Sequence, residues 1–289
     1  HLAPWQFGTH VRLGLQFLGE WFSHQLSYMR SSTDRQDFTA SAPTFGSQGE
    51  QIRGEYIGSL TALEGVDLIW GLDYQEDVAN GVGRDNKGAF VELLSDFSQT
   101  FFLTAGLRYD DNEDFGTNTS FRLSTAYLLE TGAGTLKFKA ALGSGFRAPS
   151  PFEIQYKRGQ YAFAPATSRA LEQEKSRGWE VGAQFDAEHT HLEVNVFDQS
   201  VSNAIFFDLS GYSGYLQDKG RSASSGIELI ADYRITDSLR ASANYTFNET
   251  NRPDGSQRLR RPKHLFNLGL SVAGFNNRMT VNAFYRSQA

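Results

Sequence analysis

The feature that most constrains this chain is a period-two alternation of apolar and polar residues, repeated in segments of about ten residues and broken each time by a turn. In the run 239–247, Leu239, Ala241, Ala243, Tyr245 and Phe247 fall on one face, and Arg240, Ser242, Asn244 and Thr246 on the other. Leu192, Val194 and Val196 alternate with His191, Glu193 and Asn195 in the same way. So do Leu103, Ala105, Leu107 and Tyr109 with Thr104, Gly106, Arg108 and Asp110. A soluble sandwich would alternate too, but its strands average roughly five to six residues. Strands of about ten residues have the length that a tilted membrane crossing requires. Tyr28, Tyr109, Tyr127, Tyr233, Tyr245 and Tyr285 sit at the ends of such runs, as an interfacial girdle demands.

The seven prolines respect this plan. Pro4, Pro43, Pro149, Pro151, Pro165 and Pro253 fall in expected loops, and Pro262 at a strand start, because a paired ladder uses every N–H. Read in order, about fourteen strands emerge, joined alternately by short and long links, as in a barrel with tight turns on one side and long loops on the other. Expected long polar links are 31–47, 76–84, 111–118, 145–175, 203–219 and 249–257.

Composition excludes several alternatives. The chain has no Cys, so it has no disulfide framework and no thiolate metal site. A net charge of −6 disfavours a nucleic-acid partner. No apolar run approaches the roughly 18 residues of a transmembrane helix. A mean hydropathy of −0.43 would suit a soluble protein, but a barrel keeps its lumen face polar.

Three stretches carry a resemblance to a family. The first is Gly145-Phe146-Arg147-Ala148-Pro149-Ser150, followed by a second box in which Leu171 and Glu174-Lys175-Ser176 match while Ser168 and Arg169 replace its Asn and Pro. Downstream lie Tyr215-Leu216-Gln217-Asp218-Lys219-Gly220-Arg221-Ser222 with Gly226-Ile227-Glu228-Leu229, and Arg258-Leu259-Arg260-Arg261-Pro262-Lys263-His264. The chain resembles TonB-dependent outer-membrane receptors, and within them the cobalamin-receptor branch. The resemblance implies an all-β fold, a transmembrane antiparallel up-and-down β-barrel, with residues 1–289 forming about 14 strands of a 22-stranded barrel. It further implies truncation at both ends, a missing N-terminal plug and TonB box, the outer membrane of a Gram-negative bacterium, and TonB as partner. The implied activity is active import of a scarce ligand, cobalamin first and a ferric siderophore second, with a passive porin or an adhesin as other barrel functions. Haem receptors of this type carry a His between the two boxes, and none lies between Phe146 and Leu171.

No enzyme constellation is present, since six scattered His give no base beside a nucleophile. Aromatic rings with polar edges suit capture of a large, partly apolar ligand at a wet mouth. Candidate ligand-binding residues are therefore Phe152, Tyr156, Lys157, Arg158, Tyr161 and Phe163 in one long loop and Phe206, Phe207, Tyr212 and Tyr215 in another; packing of the loops onto each other is the competing role. Asp110, Asn112 and Asp114 offer oxygens at alternate positions, for calcium or as a solvated acidic loop; Phe115 stands where an EF-hand needs Gly. His189 and His191 either chelate a metal or flank a turn. Arg258, Arg260, Arg261 and Lys263 could meet lipopolysaccharide phosphates or an anionic ligand, or stay solvated. Lys137, Lys139, Arg108, Glu228, Asp232 and Arg240 are expected on the lumen wall.

Overall fold

The computed structural model describes residues 5–39, 42–258, 260–274 and 278–289. Pro4, Leu259 and the tip Ala40-Ser41 of the expected 31–47 loop lie outside them. The first eight strands are β1 (Trp5–Leu18), β2 (Phe22–Thr39), β3 (Ala42–Leu63), β4 (Val66–Ala79), β5 (Val82–Phe97), β6 (Phe101–Asn112), β7 (Gly116–Thr131) and β8 (Gly134–Arg147). A helix α1 (Pro151–Arg158) and a 3₁₀ turn (Ala166–Ser168) follow, then β9 (Glu174–Ala187) and β10 (Thr190–Ser202). Two short strands, β11 (Ile205–Phe207) and β12 (Tyr215–Gln217), pair with each other. The chain closes with β13 (Arg221–Thr236), β14 (Leu239–Asn251), β15 (His264–Gly274) and β16 (Met279–Gln288).

Setting aside the β11–β12 hairpin, the strands form one 14-stranded antiparallel sheet in chain order, with β1 and β16 as its edges. Up-and-down order follows from hairpins alone, with no crossover to place. Because the side-chain period is two, register decides the face of every residue. The pairings run in step along whole rows: Phe138 opposite Ala183, Ala183 opposite Val194, Val194 opposite Leu229, Leu229 opposite Tyr245, and Tyr245 opposite Phe266. That row is apolar, and its neighbours on the same strands, Lys139, Gly182, Asn195 and Glu228, make a polar row on the other face. Among the described residues the sheet buries hardly any apolar side chain, Ala79 apart: the apolar face stays open, with Leu15, Leu107, Val181 and Met279 all at least half exposed.

The two ends differ in structure. Gly65, at φ 74°, closes the β3–β4 turn so tightly that a Cβ there would lie 2.2 Å from the Asp96 carbonyl oxygen. At the other end, three expected long loops prove to be strand. The polar stretch 31–47 extends β2 and β3 outward, with Arg35 opposite Ser47 and Gln36 opposite Gly46. Pro43, expected in a loop, is the second residue of β3, beside a register shift at Asp37 and Phe38 where the ladder is already broken. Similarly 76–84 turns at Asn80-Gly81, both at positive φ, and 111–118 turns at residues 113–115. These arms read as loops because both faces are polar, yet ladder bonds need no apolar side chain.

Candidate functional site

The two motif boxes of the β8–β9 connection are joined by one guanidinium. Arg147 ends β8 and donates from Nε to Glu174 at 2.5 Å and from Nη1 to Glu153 at 2.9 Å. Glu174 opens β9, and its other oxygen accepts the Ile205 N–H at 2.5 Å, tying in the β10–β13 connection. Glu153 completes a capping box: Ser150 Oγ accepts the Glu153 N–H at 3.2 Å and the Glu153 carboxylate accepts the Ser150 N–H at 2.6 Å. Pro151 at N1 and Ser150 at N-cap therefore start α1 immediately after the box. Arg84, buried near the top of β5, donates to the Pro149 carbonyl and stacks 5.7 Å from the Phe115 ring centroid.

Five of the ten candidate ligand-binding residues interlock. Phe152, Tyr156, Phe207 and Tyr215 pack edge-on or tilted, with Tyr156 5.6 Å from Tyr215 and Phe207 5.3 Å from Tyr215. Phe45 from the β3 arm and Tyr212 close the cluster. Such rings bind the two connections into one body; each edge-to-face pair adds about 0.5–1.5 kcal/mol beyond area burial. Phe206 is set apart beneath the Arg252 guanidinium, 5.6 Å away. Arg158, Tyr161 and Phe163 stand exposed. The Tyr212 turn is held by Asp208, whose carboxylate accepts from Gly211 N–H at 2.9 Å and Ser213 hydroxyl at 2.7 Å. Those bonds, with Ser210 and Ser213 N–H, hold the Asp208 carboxyl below the usual aspartate range.

Lys157 lines a groove of about 620 Å³ between the two connections, with Arg169, Ala170, Leu171, Tyr215, Gln217 and Lys219. Among the described residues, none of Lys157, Arg169 and Lys219 has a carboxylate within 4.0 Å. Partial burial lowers the Lys157 pKa from the ordinary lysine value. The single acid of the wall, Glu172, accepts from Asn203 at 3.4 Å. Sequence reasoning did not single out Arg84, Arg169 or Lys219; the Ser150-to-Glu153 spacing of a capping box was readable.

Other candidates take separate positions. Asp110 and Asn112 are buried on the polar face of β6, and both Asp110 oxygens receive Arg108 Nε, at 3.1 and 3.0 Å. A cation at Asp110 therefore competes with Arg108. Asn112 accepts the Phe115 N–H at 3.3 Å, and Asp114 lies in the turn beyond. His191 bonds Asp186 at 2.7 Å while His189 in the turn bonds Arg234 at 3.1 Å. Lys263 approaches Glu249 at 3.5 Å, and the Arg258, Arg260 and Arg261 positions are exposed. The expected lumen residues do share the polar face, where Lys139 meets Glu193 at 2.6 Å and Arg240 meets Asp232 at 2.7 Å.

An up-and-down sheet of long strands, apolar on one face and lined with ion pairs on the other, is the wall of a membrane β-barrel. Residues 3–289 match the family described as TonB dependent receptor-like, beta-barrel, and the chain belongs to that family. It is 23% identical over 236 residues to the vitamin B12 transporter BtuB of Photobacterium profundum, covering 77% of this chain and 37% of that protein. It is 21% identical over 272 residues to BtuB of Vibrio cholerae, covering 90% and 42%. The ferric enterobactin receptor PfeA of Pseudomonas aeruginosa superposes with a TM-score of 0.80 at 15% identity, over 98% of this chain and 49% of that one. The chain thus spans less than half the length of these relatives, and the apolar face is its lipid face.

Proposed function

We propose that this chain is the ligand-gathering part of the barrel wall of an outer-membrane receptor that imports a scarce ligand with energy delivered by TonB. The observation that carries this is the joint at Arg147: it fixes two connections into one body at one end of a lipid-facing barrel, presenting aromatic rings and a groove. The role is transport, with no reaction catalysed. Cobalamin is the first ligand, supported by relatives that are vitamin B12 transporters and cover most of this chain. A corrin with amide side chains suits aromatic rings with polar edges.

A ferric siderophore is the second reading, favoured by the unpaired Lys157, Arg169 and Lys219 around the groove. An anionic ferric chelate would gain from all three cations, a largely amide-bearing corrin from few of them. The test is equilibrium binding of cyanocobalamin and of ferric catecholate and hydroxamate complexes to the full-length receptor in detergent. Cobalamin binding unaffected by the substitutions K157Q, R169Q and K219Q supports the first reading. Siderophore binding abolished in that triple variant supports the second. Growth on the bound ligand that depends on an intact TonB system tests the transport step.

A further inference from the structure

We propose that the lipid face carries a binding site for a phosphorylated lipid headgroup, built by Lys175, Arg177 and Arg221 above Trp179. The pairing is unbroken: Lys175 lies opposite Phe146 and Ser202, Arg177 opposite Ser144 and Ser200, and Trp179 opposite Leu142 and Asp198. Ser202 in turn lies opposite Arg221. With a period of two, Lys175 and Arg177 therefore project on the side of Trp179, Val181 and Ala183, which is the apolar, outward side. These cations stand outside the barrel, away from the lumen and from the import route proposed above.

Their height is as telling as their side. Moving along β9 from the short-turn end, the outward residues are Ala187, Phe185, Ala183, Val181 and Trp179, then Arg177 and Lys175. Hydrocarbon contact gives way to charge within one outward step of an exposed Trp, the arrangement of a membrane interface. Lys175 and Arg221 flank Ser202 on neighbouring strands, which places their Cα atoms about 10 Å apart; Lys175 and Arg177 are about 7 Å apart along one strand. Between them and the rings below lies a recess of about 610 Å³, lined by Phe121, Leu142, Trp179, Ser200, Ser202 and the three cations. Asp198 approaches Arg221 at 3.3 Å, and among the described residues neither Lys175 nor Arg177 has a carboxylate within 4.0 Å.

A chain of net charge −6 thus gathers three cations on its membrane side, two of them unpaired, with seryl hydroxyls between and aromatic rings beneath. The matching ligand has phosphate at its head and acyl chains below it. Phosphate takes charge-assisted hydrogen bonds from Lys and Arg, and the chains continue down the apolar face. A soluble anion would have no use for the apolar lower wall.

The test is native mass spectrometry of the detergent-purified full-length receptor with three probes: diphosphoryl lipid A, the same lipid with both phosphates removed, and inorganic phosphate as competitor. We expect bound diphosphoryl lipid A, with occupancy falling about tenfold or more in K175Q/R177Q. R221Q should lose less, because Asp198 already occupies that side chain. R30Q, at a lipid-face cation paired with Glu50, should match the unaltered protein. Heat-modifiable gel migration verifies that each variant has folded. Unchanged occupancy in K175Q/R177Q would overturn the proposal, as would equal binding of the dephosphorylated lipid. Displacement of the lipid by millimolar inorganic phosphate would assign the site to free anions and equally overturn it.

Discussion

Arg108 on β6 reaches Asp73 on β4 by passing over Gly88 of the strand between them. Its Nη1 donates to Asp73 at 2.7 Å while Nη2 donates to Asp110 at 2.7 Å. A Cβ on Gly88 would lie 2.1 Å from Arg108 Nη2 and 2.6 Å from an Asp73 oxygen. The glycine is there to leave the lumen wall bare under a bridging side chain. Substituting it should therefore break an ion pair before it disturbs the ladder.

We expect G88A to assemble a normal barrel in which Arg108 no longer reaches Asp73, at a cost of about 1–2 kcal/mol, since Arg108 is partly solvated. R108Q should cost more, because Asp73 and Asp110 are then both buried without a counter-charge. The triple change D73N/R108Q/D110N should recover part of that stability. Thermal unfolding in detergent, followed by β-sheet circular dichroism, ranks the variants. G88A as destabilising as R108Q would show that the glycine serves the backbone instead.

The Arg147 joint predicts a loop phenotype without a barrel phenotype. R147A leaves Glu174 and Glu153 without their shared cation and frees α1 from β9. Hydrogen exchange should rise across 151–172 and 203–217 while β8 and β9 stay protected, and ligand affinity should fall about tenfold. R147K keeps the charge but cannot span both carboxylates with a fork, so it should fall between the two. Unchanged exchange in R147A would mean that the two connections are held by other bonds.

How much of this was readable in the chain divides along a physical line. Face assignment was readable, because a sheet in contact with lipid on one side forces period two on residues such as Leu239 to Phe247. The helix at Pro151 lay within an expected long loop and was not read, although Ser150 and Glu153 stand at capping-box spacing before it. The arms of β2 and β3 were hidden because polar composition reports the solvent, and Arg35 and Ser47 are polar whether paired or free. Contacts such as Phe152 with Tyr215 and Tyr156 with Phe207 were out of reach, since loops far apart in sequence meet only once the register has placed their strands. The sharing of ten candidate residues between packing and exposure followed from those contacts alone.

Asp208 supplies a pH dependence. Its folded-state pKa is depressed by the Gly211 N–H and the Ser213 hydroxyl, so its stabilisation of the turn is full above the ordinary aspartate value of about 3.9. It is lost as pH falls through the lower folded value. Amide protection of Ser210, Gly211 and Ser213, corrected for intrinsic exchange, should hold at pH 5 and collapse only in acid stronger than the ordinary aspartate value. D208N should show weaker protection that does not change over this range. Protection lost between pH 6 and 5 would contradict a depressed carboxyl.

The aromatic residues should separate into two classes on truncation. Phe207 and Tyr215 pack against each other and against Tyr156, so F207A or Y215A opens the cluster that joins the two connections. Being half-buried, each should cost less than the roughly 3–5 kcal/mol of a fully buried ring, and the cost should appear as proteolysis within 151–172 and 203–217. Tyr161 and Phe163 are more than half exposed and make no ring pair among the described residues, so Y161A and F163A should leave the loops intact. Any drop in ligand affinity in those two variants then reports a direct contact. Limited proteolysis run beside ligand titration distinguishes the classes: a variant that loses affinity with its loops still resistant marks a residue touching the ligand, and one that loses both marks a residue holding the loops. If F207A kept resistant loops while Y161A lost them, the interlocked rings would not be what holds this end of the barrel together.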